Sequence, residues 1–274
     1  MKSEAKVARI LTRDAEARKS NPVGRDFSEA LARGLTILAA FDADHPAMTL
    51  SDLSRKVDLP RATVRRALLT LLHLGYVADE GRLFRLQPSV LRLAATYLSA
   101  NPTSTLIQPV CERLAHTLNA TCSVAVLDRT EAVMIAYAYP RRTQAFGVTE
   151  NIGLRLPAYC SAVGRTLLAN MAPEHLTTTL DGMVLEKITE RTITDRTMLE
   201  TLLSAIRQHQ YALVDQEVEV GFRSIAVPLF RRDGTAIAAL NVGIRREQAS
   251  PQQMEQEYLP HLQQEADALR LQLL

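Results

Sequence analysis

From Phe27 onward, apolar positions recur along the chain at helical spacing. In "FSEALARGLTILAAF", Leu31, Leu35, Leu38 and Phe41 return every three to four residues, which predicts a first helix that "DADHPAM" breaks. A second start follows at once. Thr49 with Asp52 three positions on is a capping-box pattern, and Leu50, Leu53 and Val57 form the apolar stripe of a short helix. "DLPRA" reads as a tight turn that puts Pro60 at or near the first turn of a third helix, where its missing amide donor does no harm. At about 100° per residue that third helix gathers Val64, Ala67, Leu68, Leu71 and Leu72 on one face, its predicted core side. "GYVADEGRLFRLQP" then holds two short apolar runs around Asp79, Glu80 and Gly81, a hairpin pattern. Three helices followed by a hairpin predict a winged helix-turn-helix domain over residues 27–88. Before it, residues 1–26 are mostly polar and read as a loosely ordered arm; after it, the amphipathic "SVLRLAATYLSANP" predicts a linker helix within 89–102.

Beyond Pro102 the texture changes. Helical patterns fall at 104–119, 161–170, 195–209 and 251–272, and strand patterns at 122–128, 131–139, 211–217, 223–230 and 236–244. "RRDGT" at 231–235, between two apolar runs, is a hairpin turn. Residues 103–274 are therefore expected to form a second domain with a mainly antiparallel sheet, and the fold class is α+β. A chain of 274 residues that is 47% apolar can bury more than one core.

Charge sharpens the picture of the third helix. Its polar face carries Ala62, Thr63, Arg66, Thr70 and His73, with Arg65 at the flank and Arg61 at the N-terminal end. Recognition helices enter the DNA major groove N-terminus first, where Arg reaches guanine or phosphate and Thr reaches phosphate or a thymine methyl. Arg82 and Arg85 of the hairpin would lie beside the groove as phosphate contacts. A solvated basic helix is the plain alternative, and the capped short helix, the tight turn and the basic hairpin argue against it together. Residues 1–100 hold 16 basic against 11 acidic residues, a surplus of five, whereas residues 101–274 hold 16 against 19. The partner expected for the first domain is double-stranded operator DNA.

Cys111, Cys122 and Cys160 are odd in number and form no CxxC pair, so neither a disulfide framework nor a cysteine-rich zinc site is indicated. Six scattered histidines lack ligand spacing, and no metal or cofactor is expected. With no long apolar run and no apolar signal-peptide core at the start, the expected location is the cytoplasm, with no membrane partner. An enzyme would need Cys160 or Ser161 as nucleophile with His116, His175 or His209 as base. No G-x-S-x-G elbow, P-loop or H-E-x-x-H run accompanies them.

These residues resemble the IclR-type bacterial transcription regulators. The resemblance runs from "LARGLTILAAF" through "TLSDLSRKVDLPRATVRRALLTLLHLGYV" and resumes in "LPAYCSAVGRTLLA", "DQEVEVGFRSIAVPLF" and "AALNVG", covering nearly all of residues 27–250. The subgroup it is most similar to controls protocatechuate, p-hydroxybenzoate and β-ketoadipate catabolism. The resemblance implies a GAF-like effector domain for a small carboxylate, an aromatic acid or a β-ketoadipate-pathway intermediate. A single winged helix reads only a short stretch of DNA, so a homodimer holding two half-sites is expected, with the first helix or the linker helix as its contact, a tetramer on DNA as an option, and RNA polymerase as a partner if the protein activates.

Local chemistry agrees with an anion site. Ser161 can cap a helix whose first residues, Ala162, Val163 and Gly164, are small or apolar and leave backbone donors open. By resemblance the amides of Ala162 and Val163 hold the carboxylate, Phe146, Leu156 and Phe222 belong to the pocket as apolar groups, and Ser224 and Asn241 are polar contacts. Asp215 lies near an acidic pocket position, though a one-residue ambiguity also permits Val214. The local alternatives are an ordinary helix cap for Ser161 and satisfied strand ends for Ser224 and Asn241. Arg223 reads as a structural ion-pair former; Arg155 and Arg165 could meet a second ligand carboxylate or stand exposed. A dimer whose second domain senses no metabolite remains a separate reading.

Overall fold

The computed structural model describes residues 27–42, 44–100, 102–140 and 152–273, so the polar arm at 1–26 and Phe146 lie outside the described residues. The chain divides into two compact units after Tyr97. In the first, α1 (Glu29–Leu38), β1 (Ala47–Thr49), α2 (Leu50–Lys56) and α3 (Arg61–His73) precede the hairpin β2 (Val77–Glu80) and β3 (Leu83–Leu86). The capping box forms as the spacing predicts: Asp52 N donates to Thr49 Oγ1 at 3.2 Å and Thr49 N to Asp52 Oδ2 at 3.3 Å. Hydrogen bonding to Thr49 holds the Asp52 carboxyl below the usual carboxylate range. Asp58, with φ 48°, turns the chain between α2 and α3. Ser54 Oγ clamps that turn by donating to Leu59 O at 2.7 Å.

Ile37, Ala40, Leu53, Val64, Leu68 and Leu71 make one core with Met48 and Val77. The structure adds to the sequence reading at three places and corrects it at Leu72. Leu31 and Leu35 are 63% and 53% exposed, because Thr36, Ile37 and Ala40 supply the buried face of α1. That helix is apolar on more than one side, and periodicity alone cannot say which side is covered. Leu72 is likewise 37% exposed, at the rim of the α3 core face. Strand β1 is too short for an alternation signal, yet it pairs with β3 and gives the three-stranded order β1-β3-β2.

After the 3-10 turn Pro88–Val90 come α4 (Leu91–Ala100) and then α5 (Pro102–Leu118). Next come β4 (Thr121–Asp128), β5 (Glu131–Ala138), β6 (Arg155–Pro157), α6 (Ala162–Ala169), α7 (Pro173–Asp181) and α8 (Arg196–His209). The chain continues through β7 (Ala212–Asp215), β8 (Phe222–Phe230) and β9 (Ala236–Arg245) to α9 (Leu259–Arg270), which a helical turn and a π turn precede. The short elements β6 and α7 are absent from the sequence reading. All strand pairs are antiparallel, in the order β6-β5-β4-β9-β8-β7.

Both faces of this sheet are covered, which is why β8 and β9 read as nearly continuous apolar runs rather than alternating ones. Cys122, Val124, Ile225, Val227, Leu240 and Val242 pack with α5 and α9. Ala125, Ala132, Met134, Val214, Ala226 and Ala239 pack with α6 and α8. The "RRDGT" turn joins β8 to β9, with Arg231 N donating to Thr235 O at 2.9 Å and Gly234 at φ 85°. Among the described residues no helix is long and apolar enough to cross a membrane.

Every residue of α6 is buried, including an arginine. Arg165 is 1% exposed and forms a two-pronged ion pair with Glu217, Nη1 to Oε1 at 2.5 Å and Nη2 to Oε2 at 2.6 Å, while its Nε donates to Tyr159 O at 2.7 Å. Removing one partner of such a pair strands the other charge in a water-poor setting. Glu217→Gln should therefore lower unfolding stability by about 3–5 kcal/mol, read from urea denaturation. A loss below about 1 kcal/mol would show that the pair is dispensable.

Candidate functional site

In the first unit, α3 has two sides. Val64, Leu68 and Leu71 hold it to the core, and Arg61, Ala62, Arg65, Arg66 and Thr70 are exposed while Thr63 is half-buried. Among the described residues Arg61, Arg65, Arg66 and Arg82 form no ion pair, so their charge is directed to solvent. Thr70 Oγ1 donates back to Arg66 O at 3.1 Å. Arg82 stands at the exposed tip of the β2–β3 turn, where Gly81 takes φ 82°. Arg85 differs: its Nε donates to Glu80 Oε2 at 2.8 Å across the hairpin. Both partners are well exposed, so this pair is weak and exchangeable.

In the second unit, the chain leaves β6 through Pro157 and enters α6 over one face of the sheet. Ser161 caps the helix as its position predicts, accepting from Gly164 N at 3.3 Å and donating its own proton to Pro157 O at 2.8 Å. Gly164 allows the helix to lie against the incoming chain, since a Cβ there would overlap the Ala158 backbone. Ala162 and Val163 are buried, and among the described residues their amides have no hydrogen-bond partner. The start of α6 thus presents two open donors and the positive end of the helix dipole.

Strand register places the other expected groups. Asn241 pairs with Ser123 on β4 and Ala226 on β8, and Ser224 pairs with Gly243 and Val214. Alternation puts Ser123, Ser224 and Asn241 on the face that α6 covers, with Ala125, Ala226 and Ala239 among them. Ser224 and Asn241 are each 8% exposed. Asn241 Nδ2 donates to Ser123 Oγ at 3.3 Å, and its Oδ1 is buried without a partner among the described residues. Phe222 lies on this face over Gly243, where any Cβ would strike its ring. Leu156, paired with Ala132 on the sheet edge, packs into the same cluster. Ser161, Ala162, Val163, Leu156, Phe222, Ser224 and Asn241 therefore share one side of the sheet.

Asp215 does not join them. It pairs with Arg223 on β8, in register and by side chain, with Arg223 Nε to Oδ1 at 2.5 Å, and it also meets Arg191. Burial raises the Asp215 carboxyl, but these arginines outweigh it and leave the group below the usual carboxylate range. Alternation gives the α6-facing position to its neighbour Val214, which is buried there. Arg223 is the ion-pair former the sequence suggests, and it also donates to Ala249 O at 2.6 Å. Neither arginine offered for a second ligand carboxylate is available. Arg155 holds Glu131 at 2.8 Å and Asp128 at 2.6 Å, and Arg165 holds Glu217.

Glu217 went unmarked in the sequence, where it is one of three acidic residues in "DQEVEVGFR" and nothing local singles it out. As for a nucleophile, Ser161 spends its hydroxyl on Pro157 O, and the Cys160 thiol is fully buried, 3.8 Å from that same oxygen. His116, His175 and His209 are all exposed, His209 with its ring tilted against Tyr211 at 6.4 Å between centroids.

Known protein families match two parts of the chain. The IclR helix-turn-helix domain matches residues 30–81, and the bacterial transcriptional regulator IclR C-terminal domain matches residues 95–271. The chain is similar to the Pca regulon regulatory protein of Pseudomonas putida, 37% identical over 86% of this chain and 81% of that one. It is also similar to the p-hydroxybenzoate hydroxylase transcriptional activator of Acinetobacter baylyi, 34% identical over 89% and 92%. Among solved structures, an IclR homologue from Microbacterium hydrocarbonoxydans complexed with 4-hydroxybenzoate matches with a TM-score of 0.74 and 26% identity, over 89% of this chain and 99% of that one. A double mutant of the PobR inducer-binding domain from Acinetobacter, in complex with 3-hydroxybenzoic acid, matches with a TM-score of 0.58 and 32% identity, over 61% and 96%. On these grounds the chain belongs to the IclR family of bacterial transcription regulators.

Proposed function

We propose that this regulator binds operator DNA through the exposed face of α3 and the β2–β3 hairpin, and responds to a small aromatic carboxylate held at the start of α6. In this reading residues 27–88 bind DNA, 89–102 link, and 103–274 bind the effector, in the cytoplasm. The observation that carries it is the pair of open amides at Ala162 and Val163, buried on the same sheet face as Ser224 and Asn241. A helix N-terminus with free donors suits a carboxylate, and the apolar surroundings of Leu156, Phe222 and small alanines suit a ring. The hydroxybenzoates bound by two relatives support the aromatic class.

On the DNA side, Arg66→Ala should weaken operator binding by about 1–3 kcal/mol in fluorescence anisotropy at fixed salt, with Tm unchanged because Arg66 is off the core face. Unaltered affinity would remove α3 from the groove. Leu31 and Leu35 of α1 and Leu91 and Leu93 of α4 are exposed apolar groups. A second copy would cover them and supply the second DNA half-site. Light scattering should find a dimer that Leu35→Glu or Leu93→Glu shifts toward monomer; a monomeric wild type would contradict this.

On the effector side, Ala162→Pro removes one amide donor at the first helical position. Ser161, at φ −101° and ψ 146°, already has the extended backbone that a following proline requires. Losing a charge-assisted hydrogen bond worth about 1.5–3 kcal/mol should weaken binding of an aromatic acid about 10- to 150-fold in calorimetry, with operator affinity kept. Through linkage, the operator response at a fixed acid dose should shrink in step. Full acid affinity in a variant that folds and binds operator would move the carboxylate elsewhere. The absence of any aromatic-acid binding by the wild type would favour a second unit that serves assembly alone.

A further inference from the structure

We infer that Glu80 limits how tightly this regulator holds DNA, by competing with the phosphate backbone for Arg85. The inference rests on the reading of α3 and the β2–β3 hairpin as the DNA-binding surface and adds a residue that opposes that binding. Strand register explains why the two side chains meet. Ala78 pairs with Arg85 and Glu80 with Leu83, which makes Glu80 and Arg85 diagonal neighbours on adjacent strands, within reach of long side chains. On the other side of β3, the central strand, Arg85 pairs with Ala47 of β1. Alternation puts Ala47, Ala78, Glu80 and Arg85 on the outer face of this small sheet, opposite the core residues Val77, Phe84 and Leu86. Arg85 thus stands between two alanines that offer its guanidinium nothing. Glu80 takes it, with Nε donating to Oε2 at 2.8 Å.

The other arginines of this surface are placed differently. Arg61, Arg65, Arg66 and Arg82 form no ion pair among the described residues, so each can meet a phosphate without leaving a protein partner. Arg85 must first leave a carboxylate, and that carboxylate then stands bare beside a polyanion. Asp79, Glu80, Arg82 and Arg85 also make the hairpin neutral overall, so the wing adds positive charge only where Glu80 is silenced. Both partners of the pair are about half exposed, and a pair of this kind shifts an equilibrium by up to about fivefold. Phosphates are alike at every site, so the competition acts on all DNA sequences equally. Glu80 therefore lowers sequence-independent binding and leaves operator choice to the base contacts of α3.

The test is fluorescence anisotropy of the full chain, over a series of salt concentrations, on a random-sequence duplex and on an operator selected by the wild type from a randomised pool. Glu80→Gln should tighten both duplexes by the same factor, about two- to fivefold. Its salt dependence should steepen by about 0.9 in log–log slope for each phosphate gained. Glu80→Gln combined with Arg85→Gln should match the wild type in affinity and slope, because the pair removed as a unit takes nothing from the DNA contact. Both positions lie off the core face, so all variants should keep the wild-type Tm. Three results overturn the proposal. Unchanged affinity in Glu80→Gln would show that the pair does not compete with phosphate. A change confined to the operator, in either direction, would make Glu80 a base-reading group, since a carboxylate can accept from cytosine N4. A double variant weaker than the wild type, with a shallower slope, would show that Arg85 already holds a phosphate despite Glu80. Arg66→Ala, measured alongside, separates this proposal from the reading beneath it: it weakens operator binding whatever Glu80 does. If Arg66→Ala binds the operator as the wild type does, or the wild type binds neither duplex, the DNA-surface reading falls and this proposal falls with it.

Discussion

The geometry of the second unit depends on one buried ion pair, Arg165 with Glu217. A guanidinium 1% exposed has lost nearly all of its hydration, and the paired carboxylate replaces it with two parallel charge-assisted bonds. The same arginine reaches back to Tyr159 O, and the same glutamate accepts from Ile193 N at 2.9 Å. Thr192 Oγ1 donates to the carbonyl of Glu217 at 2.7 Å, and Thr189 Oγ1 to that of Gln216 at 2.7 Å. Three stretches of backbone that are far apart in sequence, at 159–165, 189–193 and 215–217, are thereby held together. Tyr159 adds its own tether by donating to Glu186 O at 2.6 Å. Burial pushes that phenol upward, so it stays a neutral donor.

Position follows from that knot. With Arg165 anchored and Gly164 pressed on the Ala158 backbone, the first turn of α6 has little freedom, and its open amides are set over the sheet before any ligand arrives. Donors fixed in advance lose little entropy when they meet an acceptor. On the sheet face beneath it lie small alanines, with Ser123, Ser224 and Asn241 as the polar groups. The first unit follows a different logic. Its α3 arginines are solvated and unpaired among the described residues, which suits contacts made to a highly charged polymer rather than to a fixed cavity.

Much was legible in the sequence because it rests on local rules. The capping box at Thr49 and Asp52, the turn at Pro60, the hairpins at Gly81 and Gly234, and the Ser161 cap each need only a few neighbouring residues, and all form. The core side of α3 was readable for Val64, Leu68 and Leu71 because one helical face is apolar. Only the tertiary structure decided what depends on distant chain. It exposed Leu31, Leu35 and Leu72, since which face of an apolar helix is covered is set by what packs there. It turned Asp215 toward Arg223 and put Val214 under α6, because strand register, with its period of two, decides the side a residue faces. It made Arg165 the partner of a glutamate 52 positions away, and it left Asn241 Oδ1 without a donor. Local propensity carries no information about a pairing between charges so far apart, nor about a bond that is missing until the chain has closed around it.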